Sequence, residues 1–347
     1  MEALSTRAMI LMRFAAPLSA FALLFAGCGG GDKKPAPTDG GPAVAEANPN
    51  WPTGPIKIVC ADAAGGDTTT FLTALAPALG KELGVEVSLA SVGSAAFAQV
   101  GETEDGHTWL GMSDEMLVAG RNGLTNVNLS AWDYTVVVRS PAVISVAPNI
   151  RTGKLPNIIR ESKREESEIS FAASKPGSIW HAKLDVIARA TRAELQLKNF
   201  PGVGPSRLAA ASGQVTAVVT SLEDQLGDIK AGKLKALAII DPRPATVPGI
   251  GEIPSAADFY PSVEDDPVNR FVGVAVPATV PTDAKARLGA AIGKALNDGT
   301  IKALASKRYW QLDGTTGDQA KKQITDAARH REALFESLEK KKDEDDL

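Results

Sequence analysis

Cysteine is nearly absent from this 347-residue chain: only Cys28 and Cys60 occur. Two cysteines build no disulfide framework, and no paired metal-binding Cys spacing is present. Histidine is as sparse. His107, His181 and His330 stand far apart, and none belongs to an H-x-x-x-H or H-E-x-x-H pair, so no metal site is expected. Nucleotide and hydrolase signatures are missing too. There is no P-loop lysine and no complete G-x-G-x-x-G, and Ser94 follows Gly93 without a glycine two residues later, so it makes no nucleophile elbow. Lys and Arg number 37 against 41 Asp and Glu, a formal charge of −4, which disfavours nucleic acid as a partner. Aromatics are only 5% of the chain. These absences leave a non-enzymatic protein that needs no cofactor.

What is present starts with a leader. Arg7 and Arg13 precede an uncharged apolar run, Phe14 to Ala26, which is too short to cross a bilayer and fits the core of an export signal. It ends Phe25-Ala26-Gly27-Cys28, which resembles a bacterial lipobox with Phe25 where Leu is usual. Residues 1–27 are therefore expected to be a lipoprotein signal peptide and Cys28 the lipidated mature N-terminus. Residues 28–54, rich in Gly, Pro, Ala and Asp, read as a flexible tether. Cys60, inside an apolar strand, reads as a small core residue.

The folded part is organised around Ile56 to Ala78. An apolar run breaks at Ala63-Ala64-Gly65-Gly66, and Phe71, Leu72, Leu75 and Leu79 then recur at helical spacing. This is strand, tight loop and helix, and the free N–H groups of such a helix start suit an anion. Downstream, strands are expected at 85–90, 107–112, 134–138, 143–147, 169–173, 195–200, 214–220 and 271–276, and residues 230–240 read as a short helix end with Gly232 followed by a strand. Helices are expected at 154–168, 179–191, 282–297 and 318–340, with 242–267 irregular and the charged tail 340–347 frayed. The alternation predicts largely parallel sheets covered on both faces. The opening theme recurs at 169–191, where a strand stops at Ser174-Lys175-Pro176-Gly177-Ser178 before a helix. Two such units, each heading one lobe, would aim both helix starts into one cleft.

Several phrases then line up in order across Trp51 to Leu338. They are WPTGPIKIV with AAGG and ALAP, DGHT at Asp105 to Thr108, SGQV at Ser212 to Val215, DIKAGKLKALAI, VPGIGEIPSAAD and GVAVPATVP. Together they resemble the Bug family, the extracytoplasmic solute receptors of tripartite tricarboxylate transporters. The resemblance implies an α/β, two-lobed type II periplasmic binding protein fold, each lobe a mixed sheet flanked by helices, with the ligand cleft between lobes. Lobe 1 would be 55–142 with 268–347, and lobe 2 would be 143–267.

It further implies a lipid-anchored receptor facing the periplasm or cell exterior that captures a small carboxylate: a di- or tricarboxylate, an aromatic acid or an amino acid. Membrane permease subunits would be its partners. Carried over, the ligand-binding residues are Ala64, Gly65, Gly66, Asp67, Thr68 and Thr69 in the first loop. Ser174, Gly177 and Ser178 form the second set, with Ser113 and Ser221 beside them. The alternative is a lipoprotein of the same fold that has lost solute binding and acts through a protein partner. It is raised by departures from the family pattern: Asp67 directly after the glycines, Thr73 in a usual Arg place, Thr216 in a usual Asp place, and an altered loop at Ala90 to Ala96. Two readings of Asp67 follow: a helix cap, or a partner for a ligand ammonium group. Trp180 and His181 are open between cleft lining and packing.

Overall fold

The first apolar run forms β1 (Ile56–Cys60), buried except at Lys57. The glycine loop leads into α1 (Asp67–Leu83), whose Phe71, Leu72, Leu75 and Leu79 face are buried as their spacing predicts. The computed structural model describes residues 45–121, 127–150 and 153–345, all within one unit spanning residues 42–347. The expected signal peptide 1–27 and lipidation residue Cys28 lie outside the described residues. So does most of the expected tether. Its last part, residues 45–54, is fastened: Trp51 is buried, and Arg287 donates to the carbonyls of Trp51 (2.5 Å) and Pro49 (2.6 Å).

The chain continues through β2 (Val87–Ser91), α2 (Ala95–Gly101), β3 (Thr108–Ser113) and β4 (Trp132–Ser140). It then crosses at Pro141 into β5 (Ala142–Val146), α3 (Leu155–Ser162), β6 (Ser170–Ala172), α4 (Ile179–Thr191) and β7 (Gln196–Lys198). Next come α5 (Val203–Ala211), β8 (Ala217–Ser221), α6 (Leu222–Lys230), β9 (Lys235–Ile239) and the hairpin β10 (Ala245–Val247) and β11 (Gly251–Ile253). The return runs through β12 (Arg270–Pro277), α7 (Thr282–Ala295), α8 (Gly299–Arg308), β13 (Gln311–Leu312) and α9 (Gly317–Asp345).

Two mixed sheets result. The first has the order β13-β4-β12-β3-β1-β2, with β1 parallel to β2 and β3, and β12 antiparallel to β3 and β4. The second has the order β7-β6-β8-β5-β9, with β6 parallel to β7 and β8, and β5 antiparallel to β8 and β9. The expectation of largely parallel sheets is thus corrected to mixed ones, as the resemblance implied. The antiparallel strands are those at the crossings: β4 runs into β5 through Pro141 with no helix between, and β12 returns beside β4 with Arg270 opposite Ser140.

Other expectations need smaller corrections. α3 stops at Ser162, so the charged run at 163–166 lies beyond it rather than on its solvated face. Residues 242–267 hold a hairpin where none was expected, α8 was not foreseen, and α9 runs on to Asp345 instead of fraying near 340. Cys60 is fully buried, and burial pushes its thiol up to about 12, as befits a core residue.

Two features span the lobes, a buried polar cluster at the crossings and the last helix. Lys183 on α4 is buried with its ammonium on Asp241 Oδ1 (2.7 Å), the Ile240 carbonyl (2.7 Å) and Asn269 Oδ1 (3.1 Å). Asp241 Oδ2 accepts the N–H of Ala142 (2.8 Å), just past the crossover. α9 straddles both lobes. Ala320 and Ile324 join the first lobe's core beside Val59 and Leu110, whereas Leu334 joins the second lobe's core beside Trp180.

Candidate functional site

The loop between β1 and α1 is shaped for close approach. Gly65 has φ +82°, a conformation that side chains with a Cβ avoid, and a Cβ on Gly66 would stand 3.3 Å from the Ala63 carbonyl. The N-cap of α1 is Gly66 itself, with no side-chain cap bond. Asp67 is therefore the first helical residue and not a cap, which corrects one of the two readings made from sequence. Thr70 makes the first bond back along the helix, to the Gly66 carbonyl (3.0 Å), so the N–H groups before it lack helical partners.

Asp67 is held by two arginines. Arg308, from α8, donates Nη2 to Asp67 Oδ1 at 2.5 Å, and Arg270, the first residue of β12, pairs with Asp67 Oδ2. Both guanidiniums lie over aromatic faces: Arg270 is 5.6 Å from the Trp180 ring and 5.8 Å from Trp310, and Arg308 is 5.4 Å from Phe71 and 5.5 Å from Trp310. The same cluster crosses to the second lobe. Glu223, in the first turn of α6, accepts from Arg308 Nε (2.7 Å) and Trp310 Nε1 (2.8 Å).

Beside this network is a cavity of about 220 Å³. Its walls include Asp62, Gly66, Asp67, Thr68, Ser113, Asp114, Glu115, Arg270 and Trp310 from the first lobe and Ile179, at the start of α4, from the second. Thr68 donates its hydroxyl to Asp62. Asp114 is buried, and desolvation raises its carboxyl to about 7 even though Arg331 works to lower it. Arg331, itself buried, donates to Asp114 Oδ2 (3.3 Å) and to the Gly177 carbonyl (3.2 Å), so it touches both lobes. Burial opposes the charge of Arg270, but Asp114 and Asp67 outweigh it and raise its pKa.

The residues expected from sequence divide accordingly. Gly66, Asp67, Thr68 and Ser113 meet around the cavity. Ala64 and Gly65 are exposed on the adjoining loop, and the Thr69 hydroxyl turns back to the Gly66 carbonyl (3.1 Å). The second set does not line the cavity. Ser174 is buried with its N–H on Ser206 Oγ (2.9 Å). Ser178 caps α4, accepting the His181 N–H (3.2 Å) and donating to the Ala173 carbonyl (2.9 Å). Gly177 faces α9, where an added Cβ would meet the Phe335 ring at 2.2 Å. Ser221 caps α6, accepting the Asp224 N–H at 3.0 Å.

His181 is buried, with Nδ1 accepting the Gly177 N–H at 3.1 Å, and Trp180 is buried in the second lobe's core with Arg270 over its ring. Sequence reasoning missed Arg270, Arg308, Glu223, Asp114 and Trp310. Arg270 carried one signal: it is the lone charge heading the apolar run FVGVAVP. A larger hollow of about 1040 Å³, lined by Lys163, Arg192, Leu195 and Leu338 among others, opens elsewhere, between α4, β7 and α9. The smaller cavity is the candidate site because it lies beyond the carboxyl ends of β1 and β3, at the start of α1 and against the start of α4.

Two mixed α/β lobes joined by crossing strands, with a polar cavity at their facing helix starts, define a two-lobed periplasmic-binding-protein fold. No family model matches the chain. A TctC solute-binding protein from Polaromonas superposes with a TM-score of 0.72 at 18% identity, covering 83% of this chain and 99% of that one. MatC from Rhodopseudomonas palustris, solved with bound malate, superposes at 0.55 with 18% identity, over 82% of this chain and 100% of that one. Among sequence relatives, BugT of Bordetella pertussis is 26% identical over 202 residues, 55% of this chain and 61% of BugT. The match thus spans about three-fifths of that relative. A UPF0065 protein of Bordetella bronchiseptica is 23% identical over 306 residues, 83% of this chain and 85% of that protein. The chain is therefore similar to the Bug proteins, as the resemblance read from its sequence implied, and its fold is shared with the TctC solute-binding protein.

Proposed function

We propose that this protein is an extracytoplasmic receptor that captures a small organic acid in the cleft between its lobes. The observation that carries the reading is the cavity of about 220 Å³ at the start of α1, with Ile179 closing it from the other lobe. Free N–H groups at a helix start and the hydroxyl of Ser113 are suited to a carboxylate, each charge-assisted hydrogen bond contributing roughly 1.5–3 kcal/mol net. MatC, with its bound malate, supports an organic acid as the class of solute.

Export and anchoring belong to the same proposal. Cys28 would carry the lipid, residues 29–44 would space the fold from the bilayer, and membrane permease subunits would receive the solute. Among the described residues no helix is long and apolar enough to cross a membrane. A thermal-shift screen with mono-, di- and tricarboxylates and amino acids tests the solute reading, and radiolabelled palmitate incorporation lost in C28A tests the anchor. A fold stabilised by no acid would favour the alternative, a receptor-like lipoprotein acting through a protein partner.

A further inference from the structure

Resting on the solute-receptor reading, we infer that the anion seat of this cleft is already filled by the chain's own Asp67, which makes Asp67 the residue that excludes di- and tricarboxylates and selects solutes with a single carboxylate, amino acids among them. The seat is recognisable by its chemistry. Two guanidiniums converge on one carboxylate, one on each oxygen, with Arg308 at 2.5 Å from Oδ1 and Arg270 on Oδ2. That is how a protein holds the carboxylate of a bound acid.

The seat is also rigid. Both guanidiniums lie over the Trp310 ring, Arg270 also lies over Trp180 and Arg308 over Phe71, and Glu223 holds Arg308 from the second lobe (2.7 Å). An arginine pair built merely to neutralise a surface aspartate needs no such aromatic frame. Asp67 is not required as a cap, because Gly66 holds that position, and its carboxylate points to the arginines.

The remaining walls agree. Beyond Arg270, whose charge Asp67 already meets, the ionisable groups lining the cavity are the carboxyls of Asp62, Asp114 and Glu115. A solute carboxylate at the start of α1 finds N–H donors. A second carboxylate finds no second arginine among the lining residues and has the carboxyls of Asp62 and Glu115 beside it, Asp114 being already met by Arg331. An ammonium group in that second place is attracted by those neighbours.

The test uses the exported chain without its leader and matched probes by titration calorimetry: succinate and glutarate against β-alanine and 4-aminobutyrate. The wild type is expected to bind the amino acids at least about tenfold more tightly than the matched diacids. D67N and, as a second variant, D67S are expected to bind the diacids at least about tenfold more tightly than the wild type does, and adding R270Q to D67N is expected to remove the gain. Unfolding temperatures of the free proteins establish that each variant is folded. If the wild type binds diacids at least as well as amino acids and neither variant improves on it, the inference is overturned while the receptor reading stands. If the variants gain nothing although the wild type prefers amino acids, the inference is overturned too, since the preference then arises elsewhere. Binding of no probe by any of the proteins overturns both.

Discussion

Glu223 is one contact by which the second lobe holds the arginine pair around Asp67, and its removal has a calculable effect. It accepts one charged donor, Arg308 Nε at 2.7 Å, and one neutral donor, Trp310 Nε1 at 2.8 Å. Its side chain is 32% exposed and that of Arg308 20%, so solvent screens the pair in part. A fully exposed ion pair contributes about 0–1 kcal/mol, and a charge-assisted hydrogen bond about 1.5–3 kcal/mol. The intermediate setting gives about 1–2 kcal/mol for E223Q, a factor of roughly 5–30 in the balance between joined and parted lobes. Part of this is specific to the pair. Chemical denaturation of E223Q, R308Q and the double variant should give a coupling energy near 1 kcal/mol. Small-angle X-ray scattering should show a larger radius of gyration for ligand-free E223Q than for the wild type. A coupling energy of zero together with an unchanged radius would refute the assignment of Glu223 as an interlobe tie.

Other positions give independent tests. K183M leaves the buried Asp241 carboxylate beside the crossover without its cation, so it should cost about 3–5 kcal/mol by urea denaturation, whereas K183M with D241N should cost less than the sum of the two single changes. G177A forces a Cβ into the Phe335 ring at φ +71° and should lower stability by about 1–3 kcal/mol, a loss that F335A partly relieves in the double variant. Asp114 gives a pH test. Its carboxyl is raised from 3.8 to about 7, so between roughly pH 4 and pH 7 the folded chain binds more protons there than the unfolded one, and its contribution to stability falls as pH rises through that window. The unfolding free energy of D114N relative to wild type should therefore increase from pH 4 to pH 8; an unchanged difference would contradict the assignment.

Much of the architecture is readable in the sequence because it rests on burial. Ile56, Ile58, Phe71, Leu72 and Leu75 announce β1 and α1 through spacing alone, and all are fully buried. The two-fold recurrence of strand, small-residue turn and helix is likewise visible, since β6 and α4 follow the same plan as β1 and α1. Strand direction is less legible. β12 and β5 run antiparallel because the chain crosses between lobes near them, and that is a tertiary fact with no local signature.

The site was half legible for a similar reason. The loop that forms its floor is local, so Gly66, Asp67 and Thr68 could be named. Asp67 meets Arg270 and Arg308, residues 203 and 241 positions away, and no periodicity connects such partners. The second set is harder to assign from sequence because Ser and Gly before a helix serve capping as readily as ligand binding. Ser178 and Ser221 are caps, and Gly177 makes room for Phe335.

That the cleft holds a small organic acid is checked by the unfolding free energy of the protein lacking residues 1–27, with and without a panel of mono-, di- and tricarboxylates and amino acids. A true solute at 100 times its dissociation constant should add about 2.7 kcal/mol. A gain of that size is expected for at least one acid bearing a single carboxylate, and a smaller one in S113A, which removes a hydroxyl from the cavity wall. No gain with any acid in the panel would contradict the reading.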